Sequence, residues 1–65
     1  MEVFIKTNEK AIKSKEAELK KFSKEELKEM AYSYRIPTGD GERDYPISWI
    51  RYDVAVAAVK ERLHA

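Results

Sequence analysis

A nucleophile is useful only beside a positioned base, and this chain holds a single histidine, His64, next to its last residue. Holding an imidazole in register with a serine is difficult there. His64 reads instead as a solvated cation at a helix end, complementing the helix dipole. Glu25, Glu26 and Glu29 could suggest an acid and a base, but they fall in the first turns of a helix, where negative charge is favourable without any chemistry. Gly39-Asp-Gly41 is too short a pattern for a phosphate loop, which needs a lysine and a following helix. It equally lacks the spaced oxygen ligands and closing glutamate of a calcium loop. A tight turn explains it better. With no cysteine and one histidine, neither a disulfide nor a thiolate or imidazole metal site can be built, so no enzymatic activity, metal or cofactor is expected.

Cations interleaved with aromatic side chains are the remaining chemistry. Lys20, Lys21, Lys24 and Lys28 cluster around one helix junction, and Arg35, Arg43 and Arg51 border a segment that also carries Tyr45, Trp49 and Tyr52. Lys24, Lys28, Arg35, Arg43 and Arg51 are accordingly the candidate nucleic-acid contacts. Arg51 stands near a helix start, where free backbone N–H groups also attract phosphate. Against this stands the charge balance, 13 Lys and Arg to 12 Asp and Glu, which gives no bulk attraction to a polyanion. The competing reading makes the lysines a solvated face paired with neighbouring glutamates and gives the aromatics to a protein partner or to the core.

The elements that must position these groups are helical. From Thr7 or Asn8, both good N-cap types, residues 9–21 are almost all strong helix formers, with Ile12 and Leu19 as a thin apolar stripe completed by Phe22. Phe22-Ser-Lys-Glu-Glu-Leu27 carries the clearest local signal: Ser23 and Glu26 form a capping box, with Phe22 and Leu27 as its hydrophobic staple. A second helix over 24–35 follows, burying Leu27, Met30, Ala31 and Tyr34, and ends before Pro37. Both prolines and both glycines lie in the extended loop 36–48. Within it Ile36 and Ile47 are expected to pack inward, and Trp49 and Ile50 after it. A third helix over 49–63 buries Val56, Val59 and Leu63, with Tyr52, Ala55 and Ala58 alongside. Residues 1–8 read as an arm that packs Phe4 or Ile5 on the helices, or as a short strand that pairs with another copy. The expected architecture is a small all-α domain, residues 1–65, of three helices.

Phe22-Ser-Lys-Glu-Glu-Leu-Lys-Glu-Met-Ala-Tyr-Ser-Tyr-Arg-Ile-Pro-Thr-Gly39, with Val54-Ala-Val-Ala-Ala-Val-Lys-Glu-Arg-Leu63 after a loop, resembles the helix-extended-loop-helix group that includes SAP, LEM and Rho N-terminal domains. Leu27-Lys28-Glu29, Ile36-Pro37-Thr38-Gly39 and Arg62-Leu63 match the group's pattern in order, over a little under two thirds of the chain. Asp40 to Ile50 is inserted where that pattern runs directly into its second helix. The resemblance implies backbone binding of nucleic acid, DNA or RNA, through the N-terminus of the last helix and the adjacent cations, although other members bind proteins. Two functions therefore stand as expectations: a nucleic-acid-binding module, or a protein-interaction or self-assembly domain using Tyr45 and Trp49 or the N-terminal strand. The longest apolar run, Val54 to Val59, is far too short to cross a bilayer, and no secretory signal is evident. An intracellular, cytoplasmic location is expected.

Overall fold

The computed structural model describes the backbone of residues 2–64 and the side chains of residues 3–63. Four helices, α1 (Glu2–Thr7), α2 (Glu9–Leu19), α3 (Lys24–Ser33) and α4 (Ile47–His64), make an all-α fold with no strand among the described residues. The His64 side chain lies outside the described residues.

Residues 2–7 are thus helical rather than a strand, and they pack Phe4 and Ile5 inward as the arm reading expected. The reason lies at Asn8, which was expected to cap α2. Its backbone N–H and its side-chain Nδ2 both donate to the Phe4 carbonyl at 3.0 Å, closing α1, and its side chain makes no cap bond to α2. Asn8 is a joint between two helical segments. It turns Phe4 and Ile5 onto the core, as half-buried neighbours of the buried cluster.

At the next junction the capping box forms as the residue types require. Ser23 Oγ accepts from the Glu26 N–H at 3.2 Å, and Glu26 Oε1 accepts from the Ser23 N–H at 3.0 Å. Donation from the Ser23 backbone N–H, and after it from the Ser23 hydroxyl, holds the Glu26 carboxyl below its ordinary pKa. The other end of α3 closes in a Schellman pattern: the Ile36 N–H donates to the Ala31 carbonyl at 2.8 Å and the Arg35 N–H to the Tyr32 carbonyl at 3.0 Å. Arg35 occupies the left-handed position, φ 61°, where glycine is the usual residue.

The fold is organised around α4, which packs against both α2 and α3. Ile50, Val54, Ala55, Val56 and Val59 of α4 are buried together with Ile12 and Leu19 of α2 and Leu27 and Ala31 of α3. A helix flanked on two sides needs a broad apolar surface, so the single stripe drawn through Val56, Val59 and Leu63 was too narrow. It omitted Val54, and Leu63, near the end of α4, is 57% exposed. Two further expected core residues lie at the surface: Ile47 is 36% and Trp49 59% exposed. Helix α4 begins earlier than expected, because the Pro46 carbonyl accepts from the Trp49 and Ile50 N–H groups at 3.0 and 3.2 Å. With those two extra residues in the helix, Ile50 faces inward and Trp49, about 100° round the helix, outward.

Candidate functional site

The connection between α3 and α4 folds back on itself. Gly39 and Asp44 form an antiparallel bridge, with the Asp40 N–H donating to the Arg43 carbonyl at 3.1 Å and the Tyr45 N–H to the Thr38 carbonyl at 2.8 Å. Asp40 Oδ1 accepts from the Arg43 N–H at 3.1 Å, an Asx-type turn completed by Gly41 at φ 106°. A β-carbon on Gly39 would run into the Arg43 carbonyl, so the close approach requires glycine. Residues 39–45 therefore form a hairpin-like turn.

This turn delivers Asp44 to the lysines of α3. Asp44 Oδ2 lies 3.2 Å from Lys28 Nζ and 3.7 Å from Lys24 Nζ. The Lys28 hydrogen bond and the two cationic charges hold the Asp44 carboxyl below its ordinary pKa, and Asp44 raises that of Lys28 in return. Of the five candidate phosphate contacts, Lys24 and Lys28 are thus brought together, but onto a carboxylate. Arg43 is exposed on the turn that carries Asp44. Arg35 lies at the far end of α3, roughly 16 Å along the axis from Lys24 at 1.5 Å per residue. Arg51 turns inward: its Nε is shut off from solvent and has no hydrogen-bond partner. It stands about 200° round α4 from Trp49, on the packed side.

The aromatic candidates form a different surface. The Tyr45 and Trp49 rings pack with centroids 5.6 Å apart and planes tilted by 43°. Tyr45 is half-buried and braces the exposed indole. Below Trp49 on α4, a mostly apolar groove is walled by Tyr52, Val56 and Ala57, and by Ile5, Ile36 and Pro37 from the N-terminal helix and the end of α3. Asp53 and Lys60 also line it. Lys60 sits over the Phe4 ring at 5.4 Å from its centroid. Asp53 has neither a hydrogen bond nor an ion pair among the described residues, and the atoms crowded against it raise its carboxyl pKa. Sequence reasoning found Trp49 but missed Asp53. The available signal was its position four residues after Trp49, on the same helix face.

A second cleft, between α3 and the end of α4, collects Glu26, Glu29 and Glu61 around Tyr34. Burial, with help from Glu61, raises the Tyr34 hydroxyl pKa. Among the described residues, no group of acidic or imidazole side chains is arranged to hold a metal ion. No helix among them is long and apolar enough to cross a membrane. No protein-family model, curated protein or solved structure matches this chain.

Proposed function

We propose that the chain is a non-enzymatic protein-interaction module that docks a partner on the face of α4 headed by Tyr45 and Trp49. The observation that carries this reading is the 59% exposure of Trp49, braced by Tyr45 at the head of an apolar groove. Tryptophan and tyrosine are the residues that most often anchor protein interfaces, and a tryptophan already held against a neighbour loses little freedom on binding. The alternative, nucleic-acid binding, draws support from the meeting of Lys24 and Lys28 beside the turn, but Asp44 occupies the place a phosphate would take.

The test is a photoreactive amino acid placed at position 49 and, separately, at Lys13 on the exposed side of α2. A discrete protein adduct from position 49 that is absent from position 13 supports the docking face. Adducts to nucleic acid instead, with oligonucleotide binding that weakens steeply with salt and is lost in a Lys24→Ala, Lys28→Ala double variant, would overturn it.

A further inference from the structure

Two charged side chains line the apolar groove, and Lys60 is drawn over the Phe4 ring at 5.4 Å, which leaves Asp53 for the groove to explain. An acidic side chain in ordinary surface use is either fully hydrated or paired. The structure shows the paired arrangement elsewhere: Glu9 with Lys13 at 3.5 Å, Glu18 with Lys15 at 3.5 Å, and Asp44 with two lysines. Asp53 is exposed yet unpaired: it lines the groove beside apolar side chains and lacks an ion-pair partner among the described residues. An unpaired carboxylate at the wall of an apolar groove favours a cation brought from outside, because charge-assisted hydrogen bonds there add to apolar burial next to it.

The neighbour that narrows the choice of cation is Trp49. Residues four apart on a helix lie on one face, with β-carbons about 5 to 6 Å from each other. An indole face and a carboxylate at that spacing offer the two contacts a guanidinium makes well: stacking of its plane on the ring, and paired N–H donation to the two carboxylate oxygens. The groove below, between Val56 and Ala57 on one side and Ile5, Ile36 and Pro37 on the other, offers burial for an apolar residue next to the arginine.

We infer that the partner segment presents an arginine flanked by apolar residues, its guanidinium seated between Trp49 and Asp53 and its apolar neighbours in the groove. This rests on the protein-docking reading and names the partner's chemistry within it. Nothing in the arrangement asks for a particular backbone conformation of the segment. What it requires is one positive charge with apolar side chains beside it.

The test titrates the full chain with an acetylated, amidated Leu-Leu-Arg-Ala-Leu peptide. Two companion peptides carry citrulline, a neutral isostere, or glutamate in place of the arginine. The chain has one tryptophan, so its fluorescence reports on position 49 without ambiguity, and NMR shifts follow the Asp53 and Ala57 amides. The expected order is arginine about tenfold tighter than citrulline, with glutamate weakest. In Asp53→Asn the arginine and citrulline peptides should differ by less than about twofold, while Lys24→Ala leaves the tenfold preference in place. Asp53 is exposed in part, so Asp53→Asn should fold, and its circular dichroism confirms that. Equal binding of the three peptides, or a preference that survives Asp53→Asn, overturns the inference and leaves the docking face standing. Failure of all three to shift either probe at millimolar concentration overturns the inference as well, while the crosslinking test judges the docking face separately. Self-association of the wild type that Trp49→Ala abolishes and Asp53→Asn leaves untouched would place a second copy on the face without the cation, again overturning it.

Discussion

Replacing Arg35 by glycine is expected to stabilise the protein, although it deletes a long side chain. Arg35 closes α3 in the left-handed conformation at φ 61°, with the Ile36 and Arg35 N–H groups fixed on the carbonyls of Ala31 and Tyr32. A residue with a β-carbon pays about 1 to 2 kcal/mol for that conformation, because the β-carbon crowds the following carbonyl. Glycine removes the crowding but gives back about 0.5 to 1 kcal/mol through the greater freedom of its unfolded chain. The arginine side chain is exposed and has no ion pair with a described residue to lose. The balance favours glycine by about 0.5 to 1 kcal/mol. With an unfolding entropy of about 2.1 cal/mol/K per residue, 65 residues convert this into a rise in melting temperature of about 4 to 7 °C. Thermal unfolding followed by far-ultraviolet circular dichroism measures it. Arg35→Ala is the control, since alanine keeps the β-carbon and removes only the side chain beyond it. A glycine variant that melts within a degree of the alanine variant would refute the claim that backbone crowding at this cap costs stability.

Leu27, fully buried between α3 and α4, is expected to lose about 2 to 5 kcal/mol on replacement by alanine, enough to unfold most of so small a protein, and a chemical denaturation midpoint close to wild type would remove it from the core. Arg51→Met keeps the packed stem but deletes the unpartnered Nε, and should leave stability unchanged or raise it by about 1 kcal/mol; a lower melting temperature would mean that the guanidinium is in fact satisfied. The Asp44 carboxyl, held below its ordinary pKa in the fold, contributes stability that is present above the unfolded value and lost as pH falls through the folded one, so Asp44→Asn should flatten the acid limb of a stability profile. Asp53 has the opposite sign: its folded pKa is raised, so its ionised form opposes folding, and Asp53→Asn should be at least as stable as wild type at neutral pH and lose that advantage in acid.

Local signals in this chain were legible and long-range ones were not. The start of α3 could be read from Ser23, Glu26, Phe22 and Leu27, because a capping box is completed by residues within one turn. Arg35 closing a Schellman motif was hidden, since the motif is set by backbone hydrogen bonds that an arginine gives no hint of. Residues 2–7 were misread because Val3, Phe4 and Ile5 in a row suit a strand as well as a helix, and the deciding contact is Asn8 back to Phe4. The face of α4 was drawn too narrow because periodicity assumes one packing partner, whereas two helices flank it. The pairing of Asp44 with Lys24 and Lys28 depends on a turn whose register only the fold sets. Trp49 was recognised as a candidate, yet its exposure depends on where α4 starts.

Because α2 and α3 both find their apolar partners on α4, the scaffold on which these helices assemble is synthesised after both of them. A nascent chain that ends before Ile47 holds a capped turn and some helical propensity but none of the five buried residues of α4. Short helices without a packing partner are marginal in water, so those earlier residues remain open to proteases and chaperones until α4 has emerged. Folding then has nothing to nucleate around but the complete set. A cut anywhere in the turn between Pro37 and Pro46 should therefore unfold the helices on both sides of it rather than leave one of them standing.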